Sequence, residues 1–412
     1  MNDRAGAAAG FDADVVIAGA GPVGALLALR LGAAGARVRI AERRAAPPAR
    51  SMAIGVMPPS LRRFAALGLD AELVRAGVRV RRAVVHDARG PLGALDFSSL
   101  PPPHDFVLSL PQGRLVATLW RRLAAMPNVV WEPETAVADF HPEADGVAVR
   151  LQPLRGAPRE ARGRFLAICD GARGALRERL GPQPPARRYG PRFTMGDAPD
   201  ATGWGDTAHL FFTPAGSLES FPLPDGRRRW VALRRPDEDE DADDAATLDA
   251  AILRIAGLRA RAGGWIETSR FAPERRRSPR FAQGRVALCG DAAHTMSPIG
   301  GQGMNTGLGD ADRLADALLA ALRSGDDPSA ALRAYERDRR AAFRRAAARA
   351  ARGMWLGTRT GRAASALRSL FVRALLRPTA LQPRLARYFS MWSLPDAAAL
   401  RRGNPLPTEA AA

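Results

Sequence analysis

Apolar positions cluster early in the chain as VVIA at 15–18, followed at once by GAGPVG at 19–24 and an alanine- and leucine-rich stretch to about residue 34. A second apolar run occupies 38–41 and ends against Glu42. Short, long and short runs in that order read as strand, helix and strand. The period then changes. PLGALDF at 91–97, FVLSL at 106–110, HLFFT at 209–213 and RRRWVAL at 227–233 are short strand-like segments between proline and glycine turns. They predict an antiparallel sheet inserted into an α/β domain. Between them, residues 114–125 place Leu115, Leu119 and Leu123 on one helical face. Apolar runs at 165–169 and 286–289 each lead into an Asp/Gly pair, Asp170-Gly171 and Gly290-Asp291. Beyond Asn305, Leu308, Ala311, Leu314, Ala315, Leu318 and Leu322 recur at helical spacing, with Asp310 and Asp312 in the expected early turns, where the helix dipole favours acids. Gly300-Gly301-Gln302-Gly303-Met304-Asn305 therefore reads as a loop delivering a helix N-terminus. The acidic run DEDEDADD at 237–244 reads as a solvated loop.

Composition narrows the chemistry. The 412 residues, 46% hydrophobic, suffice for a large core. All 61 basic residues are arginine, which excludes a Walker phosphate loop and any Schiff-base or catalytic-lysine mechanism. The net charge of +19 invites a nucleic-acid partner, but no helix-turn-helix, zinc-finger or RNA-recognition signature accompanies it. The arginines are read instead as solvated faces, concentrated in residues 331–402. Two cysteines cannot build a disulfide framework or a metal cluster and fit a reducing cytoplasm; both Cys169 and Cys289 sit in apolar runs and read as small core residues. The first apolar run is preceded by the acidic FDAD and broken by glycines, unlike a signal peptide, and no spanning helix is expected.

The first glycine turn has the spacing of a dinucleotide fingerprint. Gly19 permits the tight turn, Gly21 lets the backbone approach a pyrophosphate, and Gly24 lets helix and strand pack closely, while the helix N-terminus offers free N–H groups. Glu42, 18 residues after Gly24, stands where an acid takes ribose hydroxyls. The Asp/Gly pairs end strands of the same expected parallel sheet and so point into the same crevice. A second bare backbone at 300–305 implies a second part of one long ligand, whose developing negative charge peptide N–H groups can meet. His294, inside that motif, reads as structural. His209, in the expected substrate sheet, is a candidate for a substrate contact.

Taken together, GAGPVG with Glu42, CDGARG at 169–174 and GDAAHTMSPIGGQGMN at 290–305 resemble the motifs of the single-component FAD-dependent aromatic hydroxylases, the para-hydroxybenzoate hydroxylase-like flavoprotein monooxygenases, over about residues 13–350. The resemblance implies noncovalent FAD. Gly19, Ala20, Gly21, Pro22, Val23, Gly24 and Glu42, with Arg43 beside it, would hold its ADP half; Gly290 and Asp291 would serve the ribityl and pyrophosphate region. Pro298, Gly300, Gly301, Gln302, Gly303, Met304 and Asn305 would lie along the isoalloxazine. Arg50 and Gln112 match further flavin-contacting positions, and Asp170-Gly171 matches a motif shared by FAD and the pyridine nucleotide. Arg177 fits that motif, whereas Gly174 stands where the family has serine. NAD(P)H would visit transiently as reductant. With O2 it would support hydroxylation or epoxidation of an aromatic, quinone-like or polyketide-like lipophilic small molecule through a flavin C4a-hydroperoxide. The residues do not identify a catalytic base. The alternative on the same fold is a flavin-dependent reductase of isoprenoid or polyene double bonds. A flavin halogenase is set aside because it needs a lysine and a W-x-W-x-I-P segment, and neither is present.

The expected architecture is α/β: a Rossmann-like FAD-binding domain with an inserted antiparallel β-sheet substrate domain and C-terminal helices. Residues 13–80, 105–180 and 280–350 form the first, 81–104 and 181–279 the second, and 351–412 the last. Residues 353–393 mix arginines with Trp355, Leu367, Leu370, Phe371, Leu375, Leu376, Phe389, Met391 and Trp392. They read either as helices packed on the substrate domain or on a second copy, or as a basic amphipathic surface for the inner face of a membrane. The partners expected are the small-molecule substrate and O2, with no nucleic acid and no metal, in the cytoplasm.

Overall fold

The computed structural model describes residues 10–50, 52–238, 242–259, 263–324 and 328–394. The apolar runs form a parallel sheet in which Val286–Leu288, Arg159–Ile168, Ala13–Ala18, Val38–Ala41 and Val129–Glu132 lie side by side. Ile17 stands beside Ala167 on one side and Ile40 on the other, and all three are buried, as strands covered on both faces require. The helix Pro22–Ala33 is buried almost all round, which explains its lack of a polar face. Its one charged residue, Arg30, reaches Asp312 at 2.6 Å and Asp316 at 2.8 Å on the helix Gln302–Ser324.

A second sheet of seven strands runs in the order Glu267–Phe271, Phe193–Pro199, Arg227–Leu233, Gly216–Leu223, Ala208–Thr213, Arg82–Asp87 and Gly90–Asp96. It is antiparallel at every junction but one. Ala208–Thr213 pairs with Arg82–Asp87 in parallel. Those strands are separated by more than a hundred residues of chain that detour through the first sheet, so no hairpin dictates their relative direction. The segment at 106–110 lies elsewhere: Val107–Ser109 pairs with Gly55–Val56 and Val78–Val80 in a small separate sheet. Alternation specified a strand there but not its partner.

The acidic run behaves differently from a solvated loop at its end. Residues 239–241 lie outside the described residues, but Asp243 accepts the Ala246 N–H at 2.9 Å and caps a helix, Asp244–Ala256, closed by Gly257 at φ +70°. Leu248, Ala251, Ile252 and Ile255 of this helix cover one face of the seven-stranded sheet, against Phe211, Leu218 and Trp230. The opposite face, through Phe193, Val231 and Leu233, meets Met354 of the helix Pro328–Gly357 and Ile299. Arg362–Leu376 packs Val372 and Leu376 on the outer strands and leaves Leu367, Leu370 and Phe371 exposed; the expected C-terminal segment beyond residue 394 lies outside the described residues. Among the described residues no helix is long and apolar enough to cross a membrane.

The arginines are not simply a solvated coat. Arg228, Arg229, Arg339 and Arg368 are all buried to 3% exposure or less. Arg228 meets Asp200 at 3.0 Å and Arg229 meets Asp197 at 2.6 Å, whereas Arg368 donates to the backbone carbonyl of Arg359 at 2.6 Å. Buried charge of this kind is retained only with such partners.

Candidate flavin site

The parallel sheet brings its loops to one edge. Beyond the strand ends, Cys169 N–H donates to Ala18, Gly19 N–H to Ala41, and Cys289 N–H to Ile168, each at 2.8–2.9 Å. The glycine turn, Glu42, Asp170-Gly171 and Gly290-Asp291 therefore leave the sheet side by side, at the carboxyl edge where open α/β sheets bind ligands. The three fingerprint glycines differ in what demands them. Gly19 has φ +96°, and a Cβ there would stand 2.6 Å from the Cys169 carbonyl oxygen. A Cβ on Gly24 would stand 2.0 Å from the Gly19 oxygen, so the helix can lie against the turn only without a side chain. Gly21 has extended backbone at φ −60° and open space where a Cβ would go. That space lies at the positive end of the helix, where backbone N–H groups can meet an anion.

Glu42 is 5% exposed and accepts the Ala20 N–H at 2.9 Å and the Arg44 N–H at 3.1 Å. The Arg44 guanidinium stands 3.5 Å from the same carboxylate, which with about four acceptor positions keeps capacity for a further donor. Trp120, which the sequence did not single out, donates its indole N–H to the Ala20 carbonyl at 2.7 Å and fixes the same turn from the helix Gln112–Ala124. Gln112 opens that helix, and its N–H donates to Ala53. Arg43 and Arg50 lie exposed on the adjoining segment.

Position 174 explains its own departure from the family. A Cβ there would fall 1.9 Å from the Asp170 carboxyl carbon, because that carboxyl folds back over the loop and accepts the Leu176 N–H at 3.4 Å. Its other oxygen is buried with no partner among the described residues. Burial raises the Asp170 pKa, while the Leu176 N–H, Arg177 and Arg43 oppose the rise. Arg177 is buried beneath the loop and donates to the carbonyls of Gly171 and Ala172. Asp291 is open to solvent yet hemmed in by protein, as a group lining a cleft is. That crowding raises its carboxyl pKa; His294 and Arg177 lower it, and Asp310 adds to the rise.

At the other end of the motif the helix starts earlier than expected. It runs from Gln302, so Gly303, Met304 and Asn305 are its first turn rather than a loop. The tight turn lies before them, at Gly300 with φ +80° and Gly301 with φ +64°. Gly303 has no such angle and faces open space. The Asn305 side chain is fully engaged within the protein: it accepts the Met57 N–H at 2.9 Å and donates to Gly55 at 2.9 Å and Gly301 at 2.7 Å. It clamps the 55–57 segment to the turn, and because the helix begins at Gln302 the open backbone N–H groups there are those of Gln302, Gly303 and Met304, not Asn305. Gln302 is 5% exposed with its amide oxygen unpartnered, and Pro298 is exposed.

Asp310 and Asp312 sit in the third turn, too far along for the dipole to matter. Asp312 takes Arg30 and Arg63. Asp310, wholly buried, accepts from Gly290 N–H at 3.1 Å, His294 Nε2 at 2.7 Å and Arg339 Nε at 2.6 Å, so His294 is structural, stacked on Phe343 at 4.6 Å. His209 is remote from this cleft. It lies on the sheet face covered by Asp244–Ala256, stacks on Trp204 at 3.9 Å and shares a 2.9 Å hydrogen bond with His86. Burial, with the nearby His86, Arg228 and Arg82, lowers its pKa to about 4.

The FAD binding domain family matches residues 12–350. The 6-methylpretetramide 4-monooxygenase of Streptomyces rimosus is 33% identical over 331 residues, covering 75% of this chain and 56% of that protein. The 3-(3-hydroxy-phenyl)propionate/3-hydroxycinnamic acid hydroxylase of Mycobacterium sp. (strain JLS) is also 33% identical, covering 80% of this chain and 57% of that one. The chain thus spans less than two thirds of the length of these relatives. In fold it matches p-nitrophenol 4-monooxygenase PnpA of Pseudomonas putida with a TM-score of 0.84 at 23% identity, over 94% of this chain and 99% of that one. The glycine turn, the strand-end carboxylates and the motif helix all fall within the matched residues, and the chain belongs to the FAD-binding-domain family.

Proposed function

We propose that this chain is an NAD(P)H- and FAD-dependent monooxygenase acting on an aromatic or polyketide-like small molecule. The reading is carried by one observation: the open space at Gly21 and at Gly303 lies at two helix N-termini, as a long ligand with a phosphate end and a ring end requires. The names of the relatives support the reaction class. Residues 13–80, 105–180 and 280–350 are assigned to the flavin, and 81–104 with 181–279 to the substrate.

When bound, FAD supplies the redox chemistry, by which NAD(P)H, a proton, O2 and substrate become NAD(P)+, water and oxygenated product. The remaining work falls to the chain. Gly21 and the N–H groups of Val23 and Gly24, opening Pro22–Ala33, would bind the pyrophosphate, Glu42 would orient the ribose, and Ala20, whose N–H is given to Glu42, would hold that carboxylate in place. Asp170 and Asp291 line the middle of the cleft. The open N–H groups of residues 302–304 would meet negative charge on the bound ring. Ile299, Val231, Leu233 and Met354 form an apolar wall that excludes water.

The test is oxygen uptake by the purified yellow protein with NAD(P)H and a library of aromatic compounds, with products read by mass spectrometry. Oxygen consumption matched one-to-one by an oxygenated product is expected, and the flavin should be released by heat. NAD(P)H oxidation with a product that gains hydrogen instead would give the site to the reductase alternative.

A further inference from the structure

Glu219 sits on the central strand of the seven-stranded sheet, paired with Leu210 on one side and Val231 on the other. Its neighbours Leu218 and Ser220 face the helix Asp244–Ala256, so the alternation of a strand puts Glu219 on the opposite face. That is the face whose next rungs, Val231, Leu233 and Phe193, pack with Ile299 of the motif turn and Met354. The adjacent positions on it are Leu210, Phe212, Phe221 and Met195, which are apolar, and Ser217, the one polar neighbour on the same strand. Among the described residues no hydrogen bond or ion pair reaches the Glu219 carboxyl. The nearest charges on this face, Arg229, Asp197 and Glu267, are engaged with one another at 2.6–3.4 Å. Arg368, under Phe212, is turned toward the carbonyls of Leu356, Arg359 and Thr213. Ile299 and Met354 bring no charge. Glu219 is half-buried, and the desolvation imposed by the surrounding protein pushes its pKa up to about 7.

A carboxyl in an apolar wall without a partner costs stability, and here it faces the side of the sheet that meets the motif turn. We propose that Glu219 accepts the proton of a hydroxyl group on the substrate, a phenol or an enol. The substrate O–H bond breaks, the proton forms an O–H bond on the carboxylate, and the electron pair stays on the substrate oxygen, from which it makes the neighbouring carbons more nucleophilic. The inference rests on the monooxygenase reading for the reaction it assists, but recognition of the hydroxyl does not need turnover. It also supplies the base that no histidine provides: His209 lies on the other face.

The experiment titrates the FAD-loaded protein with 1-naphthol and with 1-methoxynaphthalene, followed by flavin fluorescence at pH 6 and pH 8, for the natural chain and for Glu219→Gln. Expected is a preference of about ten-fold for the naphthol at pH 8, the scale of one charge-assisted hydrogen bond, shrinking at pH 6 as the carboxylate is protonated. In Glu219→Gln the preference no longer changes with pH. With a hydroxylated aromatic substrate, Glu219→Gln lowers kcat by about a hundred-fold or more and removes the acid limb of the kcat/KM profile, with FAD affinity unchanged. A pH-dependent preference that persists in Glu219→Gln, a natural chain that does not distinguish the two compounds, or one that binds neither, overturns the proposal. A preference that behaves as expected in a protein that consumes no oxygen overturns the monooxygenase reading and leaves the hydroxyl acceptor standing.

Discussion

Replacing Asp310 by alanine tests the part of the structure that joins the flavin motif to the core. Its carboxylate holds Arg339 at 2.6 Å, His294 at 2.7 Å and the Gly290 N–H at 3.1 Å, and Asp310 and Arg339 are both 0% exposed. Burial pushes the Asp310 pKa up, but His294 and Arg339 outweigh it and hold the carboxyl below its ordinary value. A folded-state pKa that is depressed contributes stability above the ordinary carboxylate range and loses it only as pH falls through the lower folded value. At pH 7 the contribution is whole. Removing one member of a buried charged pair costs about 3–5 kcal/mol, because the other charge stays desolvated. Urea unfolding at pH 7 and a fixed saturating FAD concentration measures it, since ligand binding itself shifts the midpoint. Asp310→Ala should lose about 3–5 kcal/mol. Asp310→Ala combined with Arg339→Leu should lose less than the sum of the two singles, by more than about 1 kcal/mol, because the stranded charge is gone. A loss below about 1 kcal/mol in the single variant, or strict additivity in the double, would refute the reasoning.

Gly24→Ala should lower stability by about 1–3 kcal/mol and weaken FAD binding, since its Cβ would collide with the Gly19 carbonyl; an unfolding curve matching the natural chain's contradicts this. Gly303→Val, where no strain and no clash exist, should keep the unfolding midpoint and lose flavin affinity; normal FAD uptake would move the ring away from this turn. Gly174→Ser must displace the Asp170 carboxyl, and an unchanged FAD dissociation constant would take Asp170 out of the cleft. Glu219→Gln should stabilise the protein at pH 8 and not at pH 4. The natural carboxyl, raised from 4.5 to about 7, contributes its stability only while protonated and loses it as pH rises through about 7. The rise from 4.5 to about 7 corresponds to at most about 3.4 kcal/mol, so equal unfolding free energies at pH 8 would show that Glu219 is better solvated than its surroundings indicate.

The sequence determined the flavin end of this protein because there the chemistry is local. A tight turn and a close helix each demand glycine at a fixed offset, so Gly19 and Gly24 carried their roles in their spacing, and Gly21 lies with open space around it, as proposed for a phosphate. Glu42 and the two Asp/Gly pairs were legible for the same reason: each follows an apolar strand, and parallel strands end at one edge. What the sequence left open depends on which residues distant segments bring together. Asn305 belongs to the motif by position, yet its amide is consumed by Gly55, Met57 and Gly301, a fact fixed only when a segment some 250 residues away docks on it. Asp310 follows the expected helix pattern, but its purpose is set by Arg339 one helix later and by His294 before it. Alternation gave the strand around residue 107 but not its sheet, and it gave His209 a strand but not a face. The same blindness hid Glu219. A strand of alternating residues states that one face will be buried, and only the docking of Ile299 and Met354 on one side, and of Asp244–Ala256 on the other, decides which.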